Sequence, residues 1–181
     1  MLIGSVTSIW VKITVGTVNL TPAATPAGLA ASTAPTAAPA AKATSGPCNP
    51  QQNSGYIDEI LGLINAARAN DKLGALNLNA QLNAAAQGHS DDMACNNFAD
   101  HTGSDGSSIH ARIVSAGYTP SYSEEIIYPG GAAQNAFDWW INDKVHRDAI
   151  LNPNVQDIGI GYAYAPGTAY GGYFTVNFAA P

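Results

Sequence analysis

The sequence predicts an α+β fold, a small and mainly antiparallel sheet covered by helices, preceded by a strand-like segment and an extended linker. Three observations lead there. Apolar residues recur at helical spacing through the middle of the chain, as in Ile57, Ile60, Leu61 and Ile64. Near the C-terminus Ile158 to Ala165 and Tyr170 to Phe178 alternate as strands, with Pro166-Gly167 marking the turn between them. Residues 22–47 are dominated by Ala, Pro and Thr with no apolar period, so they form no core. Helices first and strands late is the order of an α+β domain.

The elements follow in order. In residues 1–21, Ile9, Val11, Ile13 and Val15 fall on one face of a strand and Trp10, Lys12, Thr14 and Gly16 on the other. This segment has no positive n-region, Lys12 interrupts its apolar run, and it is too polar for a transmembrane span. Either an export signal lies outside this numbering or the leader is atypical. A lone strand cannot bury its apolar face, so residues 1–21 are expected to pack back, to tether the chain, or to self-associate by adding to a neighbour's sheet. The folded domain is expected over 48–181. Its first helix runs from Tyr56 to Asn70, capped by Ser54, with Asp58 and Glu59 near the positive end. Asn79 caps a second helix, Ala80 to Cys95, whose apolar side is Leu82, Ala85, Ala86 and Met93. Gly103 to Ser108 is a loop, and a short helix with Arg112, Ile113 and Val114 stops at Gly117. Residues 122–128 form a strand, and Ala132 to Lys144 a helix with Ala133, Phe137 and Trp140 inward.

Composition narrows the partners. The formal net charge is −6 and 11% of residues are charged, with no basic stripe to bind nucleic-acid phosphates or an anionic membrane surface. The abundance of Asn, Gln, Thr, Ser and Gly is common outside the cell. Cys48 and Cys95 belong to no Cys-x-x-Cys pair or zinc spacing. They are either one disulfide or two unrelated buried thiols. The exposed-looking Gly-Pro-Cys-Asn-Pro stretch favours the disulfide, which would tie the domain's start to its second helix in an oxidising compartment.

An ordered series of motifs then resembles a known family. Ile64-Asn65-x-x-Arg68 precedes Leu76-Asn77-Leu78, His89-Ser90-x-x-Met93-Ala94 and Phe98-Ala99-Asp100-His101-Thr102-Gly103. Arg112-Ile113-x-x-Ala116-Gly117-Tyr118, Glu124-x-Ile126, Trp140, His146-Arg147-x-x-Ile150-Leu151-Asn152-Pro153 and Ile158-Gly159-Ile160-Gly161-Tyr162 complete it. Over about residues 55–179 this is similar to the bacterial branch of the CAP superfamily (cysteine-rich secretory proteins, antigen 5, pathogenesis-related 1). The resemblance implies an α-β-α sandwich with a three-stranded antiparallel sheet, an extracellular or cell-surface location, and a cleft holding two histidines and two acids. These fall on His101, Glu124, Asp143 and His146. Ser123 and Glu125 stand where the family has glycine and asparagine around the first acid, so two carboxylates compete for that position. Consecutive strand residues face opposite ways, so at most one enters the cleft; Glu124 is the expected one.

Two imidazoles and one or two carboxylates suit a divalent metal such as zinc, with His101 and His146 as ligands, or else a metal-free hydrogen-bonded network. The leading expectation is a secreted protein binding an extracellular lipid, glycan or protein through this cleft. The alternatives are a subunit of an extracellular filament assembled through residues 1–21, and a metal-dependent hydrolase with Glu124 as base. No serine nucleophile is favoured: Ser104, Ser107 and Ser108 read as a turn-rich loop. His89 reads as a half-buried helix residue satisfied locally, and His110 as surface. Trp140 belongs to the core, Trp139 beside it to a partly buried or ligand-facing position, and Tyr162, Tyr164, Tyr170 and Tyr173 mostly to sheet packing.

Overall fold

The computed structural model describes residues 48–181. The alternating segment in residues 1–21, the linker at 22–47 and self-association through residues 1–21 lie outside the described residues. Cys48 and Cys95 are joined at 2.07 Å, tying the start of the domain to the last turn of its second helix.

The first helix, α1 (Ser54–Asn70), is capped one residue earlier than its sequence suggests. The Asn53 side chain accepts from Gly55 N at 3.0 Å. Asn79 caps α2 (Ala80–Asn96) as expected, accepting from Gln81 N and Leu82 N, and Ser108 caps α3 (Ile109–Ser115). The helix expected over Ala132 to Lys144 is two helices, α4 (Ala133–Asn142) and α5 (Lys144–Ile150). The break is at Asp143, whose backbone is extended and whose side chain caps α5 by accepting from Val145 N and His146 N. An Asp is among the best N-caps, and here that local preference overrides the continuity of the apolar stripe.

The strands are β1 (Asn77–Leu78), β2 (Tyr122–Pro129), β3 (Asp157–Tyr164) and β4 (Gly172–Ala180), ordered β1-β3-β4-β2. The last three pair antiparallel, as the family resemblance implies. The fourth strand, two-residue β1, pairs parallel with β3 and corrects the three-stranded expectation. It is too short to show a period. Instead Asn65 on α1 pins the adjoining Leu76, accepting from its N at 2.8 Å and donating to its O at 3.3 Å. Beyond β1, α2 covers the edge of β3: Asn83 Oδ1 accepts from Ile160 N, and the Gln87 amide closes both a donor and an acceptor bond to Tyr162.

The sheet separates two helical layers. Ile126, Ile158, Ile160, Phe174, Val176 and Phe178 pack with Ile60 and Ile64 of α1, Trp140 of α4 and Ile150 of α5 in the main core. On the opposite face α2 lies directly on β3. A Cβ at Gly159 would sit 2.1 Å from the Leu82 carbonyl carbon, and one at Gly161 would sit 2.4 Å from that of Ala86. The two glycines are therefore required for the close backbone approach. This arrangement is the α-β-α sandwich. No helix among the described residues is long and apolar enough to cross a membrane.

Candidate functional site

Strand β2 sits at the sheet edge and its register decides which acid meets which helix layer. Glu124 is opposite Phe178 and Glu125 opposite Asn177. Phe178 belongs to the core under α1, α4 and α5, so Glu124 points to that layer and Glu125 to the α2 layer. The two acids face opposite ways, as alternation along a strand requires. It is Glu125, not Glu124, that meets His101.

Glu125 is buried and its oxygens are shared. His101 Nδ1 donates to Oε1 at 2.9 Å, and Arg112 Nη2 donates to Oε2 at 2.8 Å. With its amide oriented so that nitrogen donates, Asn177 adds a bond to Oε2 at 3.0 Å. His89 Nε2 stands 3.8 Å from Oε1. Arg112 is itself braced, donating to Ser107 O at 2.9 Å and His101 O at 3.0 Å. A carboxylate out of water is tolerated because a guanidinium and further donors replace its hydration. His101 keeps its side chain 48% exposed, so the network presents one imidazole to solvent from a fixed base.

Glu124 hydrogen-bonds neither histidine. Its Oε1 accepts from Asn152 Nδ2 at 2.9 Å and its Oε2 from the Tyr122 hydroxyl at 3.1 Å. Asn152 is positioned by Arg68, buried on α1, which donates to the Ile150 and Asn152 carbonyls at 2.8 and 2.9 Å.

His146 forms a second pair. Its Nδ1 donates to Asp143 Oδ1 at 2.7 Å, and its ring lies 4.4 Å from that of Trp139. The hydrogen bond from His146 holds the Asp143 carboxyl below the usual range. Asp143 and His146 meet because Asp143 caps the short helix that carries His146. Trp140 is in the core, donating Nε1 to Ile127 O at 3.0 Å, and Trp139 is half-buried against Tyr128 and His146.

The four expected residues are thus divided between two centres, His101 with Glu125 and His146 with Asp143, with Glu124 in a third set of contacts. Both Nδ1 atoms are committed to carboxylates, so the free imidazole nitrogens are the two Nε2 atoms. Zinc takes four ligands, three of them from protein even at an open site. Among the described residues no group of three or more His, Cys, Asp or Glu side chains stands so as to hold a metal ion.

His89 departs from its expected half-burial. It is wholly buried under the α2 layer, Nε2 bonds Asp100 O at 2.9 Å, and Nδ1 has no hydrogen-bond partner among the described residues. Burial first, and then Arg112, hold its imidazole below the ordinary histidine range, against the opposing pull of Glu125. The serine loop is held by a local turn bond, Asp105 Oδ1 accepting from Ser107 N, and by α2, where Asp92 Oδ2 accepts from Ser104 N. Among the described residues no histidine ring hydrogen-bonds a serine hydroxyl. Sequence reasoning missed Arg112 and Asn177 as site residues. The signal for the second was present, since Thr175 and Asn177 are polar at alternate positions of an otherwise apolar strand.

Comparison with known proteins bears on this geometry. The model of the cysteine-rich secretory protein family, CAP, matches residues 61–178. Two Bacillus subtilis proteins align with the chain. YkwD is 32% identical over 124 residues, 68% of this chain and 48% of its own length, and the membrane protein YlbC is 30% identical over 127 residues, 66% and 33% respectively. The chain therefore spans half or less of these curated relatives. An extracellular protein containing an SCP domain from Bacillus anthracis str. Ames superposes with a TM-score of 0.65 at 26% identity, covering 76% of this chain and 45% of that one. An outer surface protein from Borrelia burgdorferi gives 0.66 at 19%, covering 72% and 98%, a likeness of fold.

Proposed function

The chain belongs to the cysteine-rich secretory protein (CAP) family, and from that premise we propose that it is an extracellular binding protein whose cleft is built on Glu125. The observation that carries this reading is the buried Glu125 carboxylate gripped by His101, Arg112 and Asn177 beside an exposed imidazole. Such a network fixes donors and acceptors in advance, which lowers the ordering cost of capturing a polar ligand. The extracellular setting is supported by the Cys48–Cys95 disulfide and by relatives described as extracellular or outer-surface proteins.

The test is direct binding of the full chain to three immobilised probes: soluble peptidoglycan fragments, phosphatidylcholine vesicles and a secreted-protein fraction separated by size. Saturable binding to one probe, weakened at least about tenfold (roughly 1.4 kcal/mol) in His101→Ala, supports the reading. Equal binding by wild type and His101→Ala, or none to any probe, overturns it. Zinc binding through His101 and His146 has its own measurement, calorimetric titration of wild type and the double alanine variant. Heat that survives both substitutions excludes these ligands.

A further inference from the structure

We propose that the outer edge of β2 is a docking site for an extended polypeptide segment, which adds as a further strand and sets a lysine or arginine beside Glu124. The proposal rests on the extracellular-binding reading of the cleft and names its class of partner.

The two edges of the sheet differ. Along β3 the outward main-chain groups are taken at every second residue. Asn79 N donates to Ile158 O, Asn83 Oδ1 accepts from Ile160 N, Gln87 bonds both N and O of Tyr162, and Gln51 exchanges two bonds with Tyr164. Ile158 and Ile160 are wholly buried. An edge covered in this way does not recruit another chain.

β2 forms the opposite edge. Gly130 N donates to Gly172 O, one step past the Pro129–Tyr173 pair, so the bonded pairs with β4 fall at Tyr128, Ile126, Glu124 and Tyr122. The main-chain groups of Ser123, Glu125 and Ile127 therefore point away from the sheet. Of these, among the described residues, Ile127 O alone has a partner, Trp140 Nε1 at 3.0 Å. Glu125 shows that the edge reaches solvent. Its side chain is 0% exposed while the whole residue is 8% exposed, so its exposed surface is main chain. The open stretch is short, because Trp140 closes it at Ile127 and Pro129 has no N–H.

Such an edge is a template for strand addition. A segment laid along Ser123 and Glu125 closes up to four main-chain bonds. Alternation along the incoming strand then puts one of its side chains beside Glu124, at the cross-strand Cβ spacing of about 4.5–5.5 Å. Charge selects the type of that side chain. Glu125 has Arg112 as its counter-charge, whereas Glu124 is held by two neutral donors, Asn152 and Tyr122, and makes no ion pair among the described residues. A basic side chain supplies the missing partner, and an acidic one is repelled by Glu124 and by a chain of net charge −6.

Ser123→Pro gives the test. It removes one outward N–H and leaves the ladder to β4 intact, a placement that edge strands tolerate. The full chain, labelled with ¹⁵N, is titrated with the acetylated and amidated peptide Thr-Val-Lys-Val-Thr while main-chain amides are followed by NMR. The expected result is a saturable shift of the Ser123 and Glu125 amide signals. Binding should weaken at least about tenfold in Ser123→Pro, and at least about threefold in Glu124→Gln or with norleucine in place of the lysine. Should Ser123→Pro fail to fold, the peptide carries the same test. N-methylation of its second and fourth residues, or of its third, should abolish binding in one case and spare it in the other, because only alternate residues of a strand face their neighbour. Four results overturn the proposal: Ser123 and Glu125 amides that do not move, binding that survives Ser123→Pro in the folded protein, equal effects of the two methylation patterns, or a norleucine peptide that binds as well as the lysine one. Failure of the Glu125 cleft reading would show instead in His101→Ala binding to the immobilised probes, which these amide shifts do not measure.

Discussion

Replacing Glu125 with glutamine tests the central geometric finding, that this residue and not Glu124 is the acid of the α2 layer. Gln keeps the shape but removes the charge that faces Arg112 at 2.8 Å, and it turns an NH₂ toward donors. The Glu125 side chain is fully buried and that of Arg112 is 11% exposed, so solvent does little to relieve the stranded guanidinium. Removing one partner of such a pair costs about 3–5 kcal/mol, and the residual exposure of Arg112 puts the expectation near ~3 kcal/mol. Glu124→Gln is different. Its carboxylate is partly exposed, and a glutamine oxygen still accepts from Asn152, so the loss should stay below about 1 kcal/mol. Urea denaturation at about pH 7.5, with the slope checked for constancy, measures both. A double-mutant cycle of Glu125→Gln with Arg112→Met should return a coupling of about 2 kcal/mol. A Glu124→Gln loss equal to that of Glu125→Gln would refute the placing of the buried charge on Glu125. So would a coupling below about 0.5 kcal/mol.

Three more outcomes follow from the structure. Gly161→Ala places a methyl 2.4 Å from the α2 backbone, and overpacking against a backbone that cannot yield should cost at least ~3 kcal/mol in the same denaturation assay; a loss under about 1 kcal/mol would mean α2 can move off the sheet. Removing the Cys48–Cys95 bond, which closes a sequence separation of 47, should lower stability by about 4 kcal/mol in the chain-entropy account, and an unchanged urea midpoint in Cys48→Ser/Cys95→Ser would count against it. Burial lowers the His89 pKa in the folded state, so the unfolded chain takes up the proton first: this contribution is complete above the unfolded value of about 6.5 and declines as pH falls below it, by up to about 1.4 kcal/mol per unit. Stability measured from about pH 7.5 to about 5.5 should show this decline, and His89→Gln should flatten it; an identical slope in the variant would remove His89 as its source.

How much was legible depended on the range of the interaction. The α2 cap at Asn79, the strands of the C-terminal hairpin and the core position of Trp140 are local or periodic features, and each stands where the residues indicate. The break at Asp143 was less legible because an apolar stripe and a good N-cap gave opposite signals in the same window. β1 was invisible because two residues have no period; its pairing is made by Asn77 N on Gln156 O and Asn79 N on Ile158 O, beside the Leu76 that Asn65 holds.

By itself the sequence determined the α+β class, the family, the residue types of the site and the parity rule that separates Glu124 from Glu125. Alternation along a strand needs nothing beyond the chain. Tertiary structure decided which parity faces which layer. Ile126 has the parity of Glu124 and is drawn, with Val176 and Phe178, into the larger core beneath α1, α4 and α5. Glu125 is thereby turned toward His101, Arg112 and Asn177. Burial of the larger apolar face sets the register, and a single residue of parity places either acid in the cleft.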